Sequence, residues 1–175
     1  MILSSRDIRS LIKSGNILVE PLGEDTIREN GLDLRFSGEV ATPRYLDSVF
    51  IPGESDPSDF YTVENVDEYI IRRGGFALIS TMEYIRLPSN IVGLIGIRSS
   101  YARLGIYTAP TVVDAGYEGT LTIALFSYAN NILLRRGDRI IHLTLWRTSS
   151  SSDSPYSGIY KGVRGVALPF FRRPR

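Results

Sequence analysis

A chain of 175 residues, 43% hydrophobic and 22% charged, suits one domain able to remove roughly 70% of its unfolded surface from water. Its formal net charge of +1 provides no field to attract nucleic acid or a membrane surface, so any anion binding must be local. Cysteine is absent and His142 is the single histidine, which excludes disulfides, a thiol nucleophile and a Cys/His zinc site. A basic leader followed by an apolar core is lacking, as is any run long enough to span a bilayer, so a cytoplasmic protein is expected.

Ser4 and Asp7 form a capping pattern before Ile8, Leu11 and Ile12, which predicts one short amphipathic helix ending near Gly15. Ile17 to Pro21 is strand-like, and Glu24 to Asn30 reads as a loop or a single helical turn. Gly31 to Phe36 alternates, with Leu32, Leu34 and Phe36 on one face and Asp33 and Arg35 on the other. Residues 37–68, rich in proline and acidic groups, read as a solvated hairpin region. Short strands are then expected at Tyr69 to Ile71, Phe76 to Ser80, Glu83 to Leu87 and Ile91 to Ile97, and later at Thr120 to Ser127, Ile132 to Arg135 and Arg139 to Trp146. Their even spacing favours an all-β sandwich or barrel. Ser149 to Ser154 reads as a flexible linker into a glycine-bearing tail.

The chemistry-bearing stretch is Gly96 to Leu125. Arg98, Ser99, Ser100 and Arg103 offer guanidinium forks and hydroxyls at a spacing suited to an oxyanion such as phosphate. Asp114 follows the apolar pair Val112 and Val113 and precedes Ala115-Gly116-Tyr117, where a strand should end in a tight turn. A turn or cap role is the commoner fate of such an aspartate. His142 lies in an apolar strand pattern and is expected to be packed or at an interface rather than to act as a base.

RSSYARLGI followed by VVDAGYEGTLTIAL resembles the dUTPase and dCTP deaminase superfamily. The likeness extends from MILSSRDIRSLI through NGLDLRF to GDRIIHLTLW and the tail. It implies a single domain over 1–175, a mainly β, distorted barrel (dUTPase-like, β-clip) with a short N-terminal helix, and a flexible C-terminal arm over 149–175. In deaminases of this superfamily, a glutamate seven residues after the turn aromatic shuttles protons. Counting from Tyr117 gives Ala124, which can do neither half of that task. Asp114 matches the aspartate with which dUTPases activate water. The expectation is therefore an archaeal-type dUTP diphosphatase, hydrolysing dUTP to dUMP and pyrophosphate, on a dCTP deaminase-like chain.

In that reading Arg98, Ser99, Ser100 and Arg103 hold phosphate, and the main chain over Thr111, Val112 and Val113 selects the base. Tyr117 packs beneath deoxyribose, while Lys161 and Arg164 of the arm close over the nucleotide. Asp33 holds Mg²⁺ through water, the other option at this position being a salt bridge to a neighbouring arginine. A homotrimer with shared active sites is implied, and no partner among nucleic acids or membranes. His142 stands where the family motif has glutamine, and Ile159 and Val163 stand where the deaminases show lysine and glutamine. The alternatives are a dCTP deaminase, mono- or bifunctional, and a non-catalytic nucleotide-binding regulator on the same fold.

Overall fold

The computed structural model describes residues 1–44 and 47–171; two residues of the hairpin region and the last four of the arm lie outside the described residues. Helix α1 (Ser5–Lys13) starts as the sequence predicts. The Ser4 hydroxyl accepts from the Asp7 amide at 3.3 Å and the Asp7 carboxylate accepts from the Ser4 amide at 3.1 Å, so two orphan donors satisfy each other's residue. Its buried residue, Ile8, joins the core.

Then follow β1 (Leu18–Glu20), β2 (Ile27–Arg28), β3 (Gly31–Pro43), α2 (Pro57–Phe60), β4 (Tyr61–Asn65), β5 (Glu68–Ile71), β6 (Phe76–Arg86) and β7 (Ile91–Ile97). The second half adds α3 (Ser99–Arg103), β8 (Ile106–Thr108), β9 (Val112–Val113), β10 (Glu118–Ser127), β11 (Ile132–Arg135) and β12 (Arg139–Arg147). The main sheet runs β8-β10-β6-β3-β12-β7-β9, with β1 added on β6 and β2 and β4 on β3; β5 and β11 form a separate pair. The protein is thus mainly β, a curled sheet in a distorted half-barrel with a short N-terminal helix.

Strand β3 is the pivot. Its first part pairs with β12 and its second with β6 and β4, the register shifting between Phe36 and Val40. Leu32, Leu34 and Phe36 therefore feed one apolar cluster with Ile79 and Ile85 of β6, Ile123 and Leu125 of β10, and Ile141, Leu143 and Leu145 of β12.

Two boundaries differ from expectation. Strand β6 is continuous where the polar Ser80-Thr81 step suggested a break. The Thr81 hydroxyl accepts from the Leu121 amide at 2.9 Å and donates to the Glu83 carbonyl, replacing ladder bonds across an irregularity. The region read as a solvated hairpin contributes the far half of β3, α2 and β4, since pairing of Val40 and Ala41 with β6 buries both residues.

Candidate active site

A cavity of about 520 Å³ opens between the β9–β10 turn, β6, β10 and the arm. Its walls are mostly apolar, from Phe76, Leu78, Ile95, Val113 and Leu121, with hydroxyls from Thr111, Thr120 and Thr122. Such a composition suits a flat ring and a sugar, fixed by few polar contacts.

Asp114 sits where the sequence put it, at the end of β9 in a tight turn. The Tyr117 amide donates to the Asp114 carbonyl at 3.0 Å, and Gly116 takes φ +83. Only glycine tolerates this geometry, because a Cβ there would also lie 2.5 Å from Pro155 of the arm. Main-chain bonds from Gly116 to the Pro88 carbonyl, from Leu87 to the Tyr117 carbonyl and from Ile95 to the Thr111 carbonyl hold the turn against its neighbours. The exposed carboxylate of Asp114 thus rises from a fixed backbone into the cavity.

Tyr117 is buried on the same wall. Its hydroxyl donates to the Thr120 carbonyl at 2.7 Å, and burial, with Tyr156 and Tyr84 adding to it, pushes the phenol up to about 12. It is a neutral packing ring at any ordinary pH, 5.5 Å from the Tyr156 ring.

The arm supplies the remaining wall through Tyr156, Tyr160, Val163, Ala167 and Pro169. It is stitched to the barrel by bonds from the Gly162 amide to Glu118, from the Thr120 amide to Val163, from the Val166 amide to the Glu39 carboxylate at 2.9 Å and from the Ala167 amide to the Thr122 hydroxyl at 2.8 Å. The Arg164 guanidinium lies 4.2 Å above the Tyr84 ring, and the Tyr84 hydroxyl donates to Glu118. Lys161 and Arg164 are exposed and do not line the cavity. Sequence reasoning missed the aromatic pair Tyr156 and Tyr160. Their spacing within the glycine-bearing tail was the available signal.

The expected phosphate group is elsewhere. Arg98, Ser99, Ser100 and Arg103 lie at and within α3 and are not among the residues lining the cavity; Ser99, Ser100 and Arg103 are exposed. Asp33 accompanies them. Sheet register places it beside His142, which itself faces Gly96, and only 3% of Asp33 is exposed. One carboxylate oxygen meets Arg98 Nε at 2.8 Å and Arg139 Nη1 at 3.8 Å, the other meets His142 Nδ1 at 2.9 Å. The salt bridge weighed as the other option at Asp33 is present, on a buried rather than an exposed face. With cationic or N–H groups on both oxygens, this carboxylate does not fit a water-mediated Mg²⁺ ligand. Among the described residues no three acidic or histidine side chains converge as a metal would need.

Register also locates Ala124. It stands directly opposite Leu78 and two residues from Thr122, both of which line the cavity, so its methyl faces the same side.

Residues 2–148 match the family model described as dCTP deaminase-like. A protein of Sulfurisphaera tokodaii called dCTP deaminase is 46% identical over 98% of this chain and 93% of its own length. One of Aeropyrum pernix with the same name is 47% identical over 97% and 96%. The crystal structure of 2′-deoxycytidine 5′-triphosphate deaminase from Agrobacterium tumefaciens superposes with a TM-score of 0.67 at 23% identity, covering 82% of this chain and 46% of that one, so the likeness there is one of fold.

These full-length relatives overturn the expectation of a dUTP diphosphatase acting on dUTP to give dUMP. That expectation rested on Asp114 and Ala124, two positions in a chain that matches the deaminase relatives over 97% or more of its length. The methyl at Ala124 leaves that wall of the cavity without a proton carrier. The chain belongs to the dCTP deaminase-like family.

Proposed function

We propose that the cavity beside Asp114 takes dCTP and that the protein deaminates it, water adding at C4 of the cytosine ring and ammonia leaving to give dUTP. The observation that carries this reading is full-length likeness, at 46% and 47% identity, to proteins called dCTP deaminase. The cavity agrees in size and character with a pyrimidine nucleoside. Asp114 is the one carboxylate among its lining residues, and takes the proton of the attacking water and returns it to the departing amine. Thr111, Val112 and Val113 present main chain to the base, and Tyr117 packs beneath the sugar. Arg98, Ser99, Ser100 and Arg103 grip the triphosphate.

Because that grip and the cavity are separate places in one chain, the complete site draws the grip from a second copy, as a homotrimer with shared sites would provide. Sedimentation should give a mass near three chains at working concentration, and a monomer that still turns over dCTP would remove this part of the reading.

Ala124 favours a second reading, in which the protein holds the nucleotide without turning it over. A carboxylate at that wall could carry a proton and a methyl cannot. One experiment separates the two: dCTP binding by calorimetry, beside ammonia release from the same preparation. Binding with steady ammonia supports deamination, binding with none supports the silent protein, and absence of binding sinks both.

A further inference from the structure

Resting on the phosphate role just proposed for Arg98, we infer that Asp33 is a positioning residue whose carboxylate, steadied by His142, fixes the Arg98 guanidinium so that its free Nη2 meets a triphosphate. The argument starts from the row Asp33, His142, Gly96, which three adjacent strands place side by side in β3, β12 and β7. Arg98 follows two residues after Gly96, so its side chain returns over that row.

There the guanidinium is held at two points: Nε donates to Asp33 Oδ2 at 2.8 Å, and Nη1 donates to the Arg139 carbonyl at 3.0 Å. Two of its three nitrogens are thereby anchored. Nη2 has no partner among the described residues, and the side chain keeps 29% of its exposure. A planar group pinned at two nitrogens presents the third in a defined orientation, which is what a short charge-assisted bond to a phosphate oxygen needs.

The anchor is itself rigid. Asp33 Oδ1 is occupied by His142 Nδ1 at 2.9 Å, and His142 Nε2 lies 3.3 Å from Asn30 Oδ1. Arg98 and Arg139 both converge on this single buried carboxylate. Arg139 gives part of its charge to Asp25 at 3.3 Å, which leaves Arg98 as the outward group. A metal carboxylate would be surrounded by oxygen ligands and water, whereas this one is surrounded by N–H donors.

The test is calorimetric titration of dCTP, dUTP and inorganic tripolyphosphate into wild type and Asp33→Asn, each with EDTA and with excess Mg²⁺. The expected result is a loss of affinity of about tenfold or more for all three, equal in EDTA and in Mg²⁺, because the lost contact is with the arginine. In an Arg98→Lys background, which lacks the fork, Asp33→Asn should cost nothing further. A loss confined to the Mg²⁺ titrations would make Asp33 a metal ligand and overturn the inference, as would additive losses or no loss.

Glu83→Gln disrupts another buried pair, Arg35 Nε to Glu83 at 2.6 Å, and should lower thermal stability while leaving phosphate affinity unchanged. If it weakens affinity equally, the Asp33 effect is only instability. Should Asp33→Asn not fold, His142→Ala releases one oxygen of the carboxylate and must weaken tripolyphosphate binding in EDTA, or the inference falls. Wild type that binds tripolyphosphate without preferring dCTP would sink the substrate assignment alone; wild type that binds none of the three would sink the inference too.

Discussion

The turn bearing Asp114 and the knot around Asp33 are both aspartates at strand positions in family-like motifs, yet they do opposite things with their charge. Asp114 is exposed, lines a cavity of about 520 Å³ and rises from a backbone held by neighbouring main chain. Asp33 is 3% exposed, lines no cavity described, and has both oxygens committed to Arg98 and His142. An acid meant to exchange protons needs access to solvent and substrate. One meant to orient a cation needs burial and short contacts. The difference shows that a carboxylate in a motif is a candidate for chemistry only after its partners are known.

The sharpest way to break this contrast is to give the cavity a second carboxylate. Ala124→Glu would direct an acid from β10 to the side lined by Leu78 and Thr122. General acid–base catalysis contributes roughly a hundredfold to ten-thousandfold, so ammonia release from dCTP should rise by about a hundredfold or more over wild type. An ammonia-coupled assay reads this directly. A variant no faster than wild type would mean that Asp114 alone already carries the proton, or that the cavity holds no cytosine.

Much of the frame behind this prediction was legible in residue order. The capping pair Ser4 and Asp7, the alternation through Leu32, Leu34 and Phe36, and the turn at Ala115-Gly116-Tyr117 are all local signals, and each appears as expected. What could not be read depends on neighbours distant in sequence. Asp33 meets Arg98 across 65 positions, and nothing near residue 33 announces burial on both faces of β3. The continuity of β6 rests on a bond from Leu121 to Thr81, 40 residues away. The choice between two chemistries turned on one local signal, the methyl of Ala124 where a deaminase carries a glutamate, whereas likeness to the deaminases is spread over 97% or more of the chain.

A second test concerns Tyr117, whose ring serves the cavity wall and whose hydroxyl serves the turn. Tyr117→Phe leaves the Thr120 carbonyl without its side-chain donor at a buried place, costing about 1–2 kcal/mol in thermal or denaturant unfolding. Its pH dependence has a definite sign. Burial raises the folded phenol to about 12 from its ordinary value of 10.0, so above pH 10 the unfolded chain loses a proton that the folded one keeps. Stability from this group is whole below pH 10 and falls as pH rises towards 12. Melting temperature followed across that window should fall less steeply in Tyr117→Phe than in wild type. Equal slopes would place the titration elsewhere, Tyr101 being the next phenol that burial raises to about 12.

Arg164 gives the smallest effect and the finest distinction between holding structure and holding substrate. Its guanidinium sits 4.2 Å over the Tyr84 ring, and Tyr84 in turn donates to Glu118, so arm and barrel meet there through a cation on an aromatic face. Exposed contacts of this kind contribute about 0.5 kcal/mol. Arg164→Met keeps most of the stem and removes the charge. The arm retains its main-chain bonds at Glu118 and Thr120 and its bond to the Glu39 carboxylate, so melting should shift by only about a degree or two and the arm's resistance to a protease should drop slightly. If Arg164 serves the arm alone, dCTP affinity in the variant stays within about twofold of wild type, since lost docking is then the whole effect. A tenfold loss with unchanged melting would instead mean that this guanidinium leaves Tyr84 for the triphosphate when nucleotide is present, making it the arm's counterpart of Arg98: one cation released from its partner on binding, the other kept by Asp33 throughout.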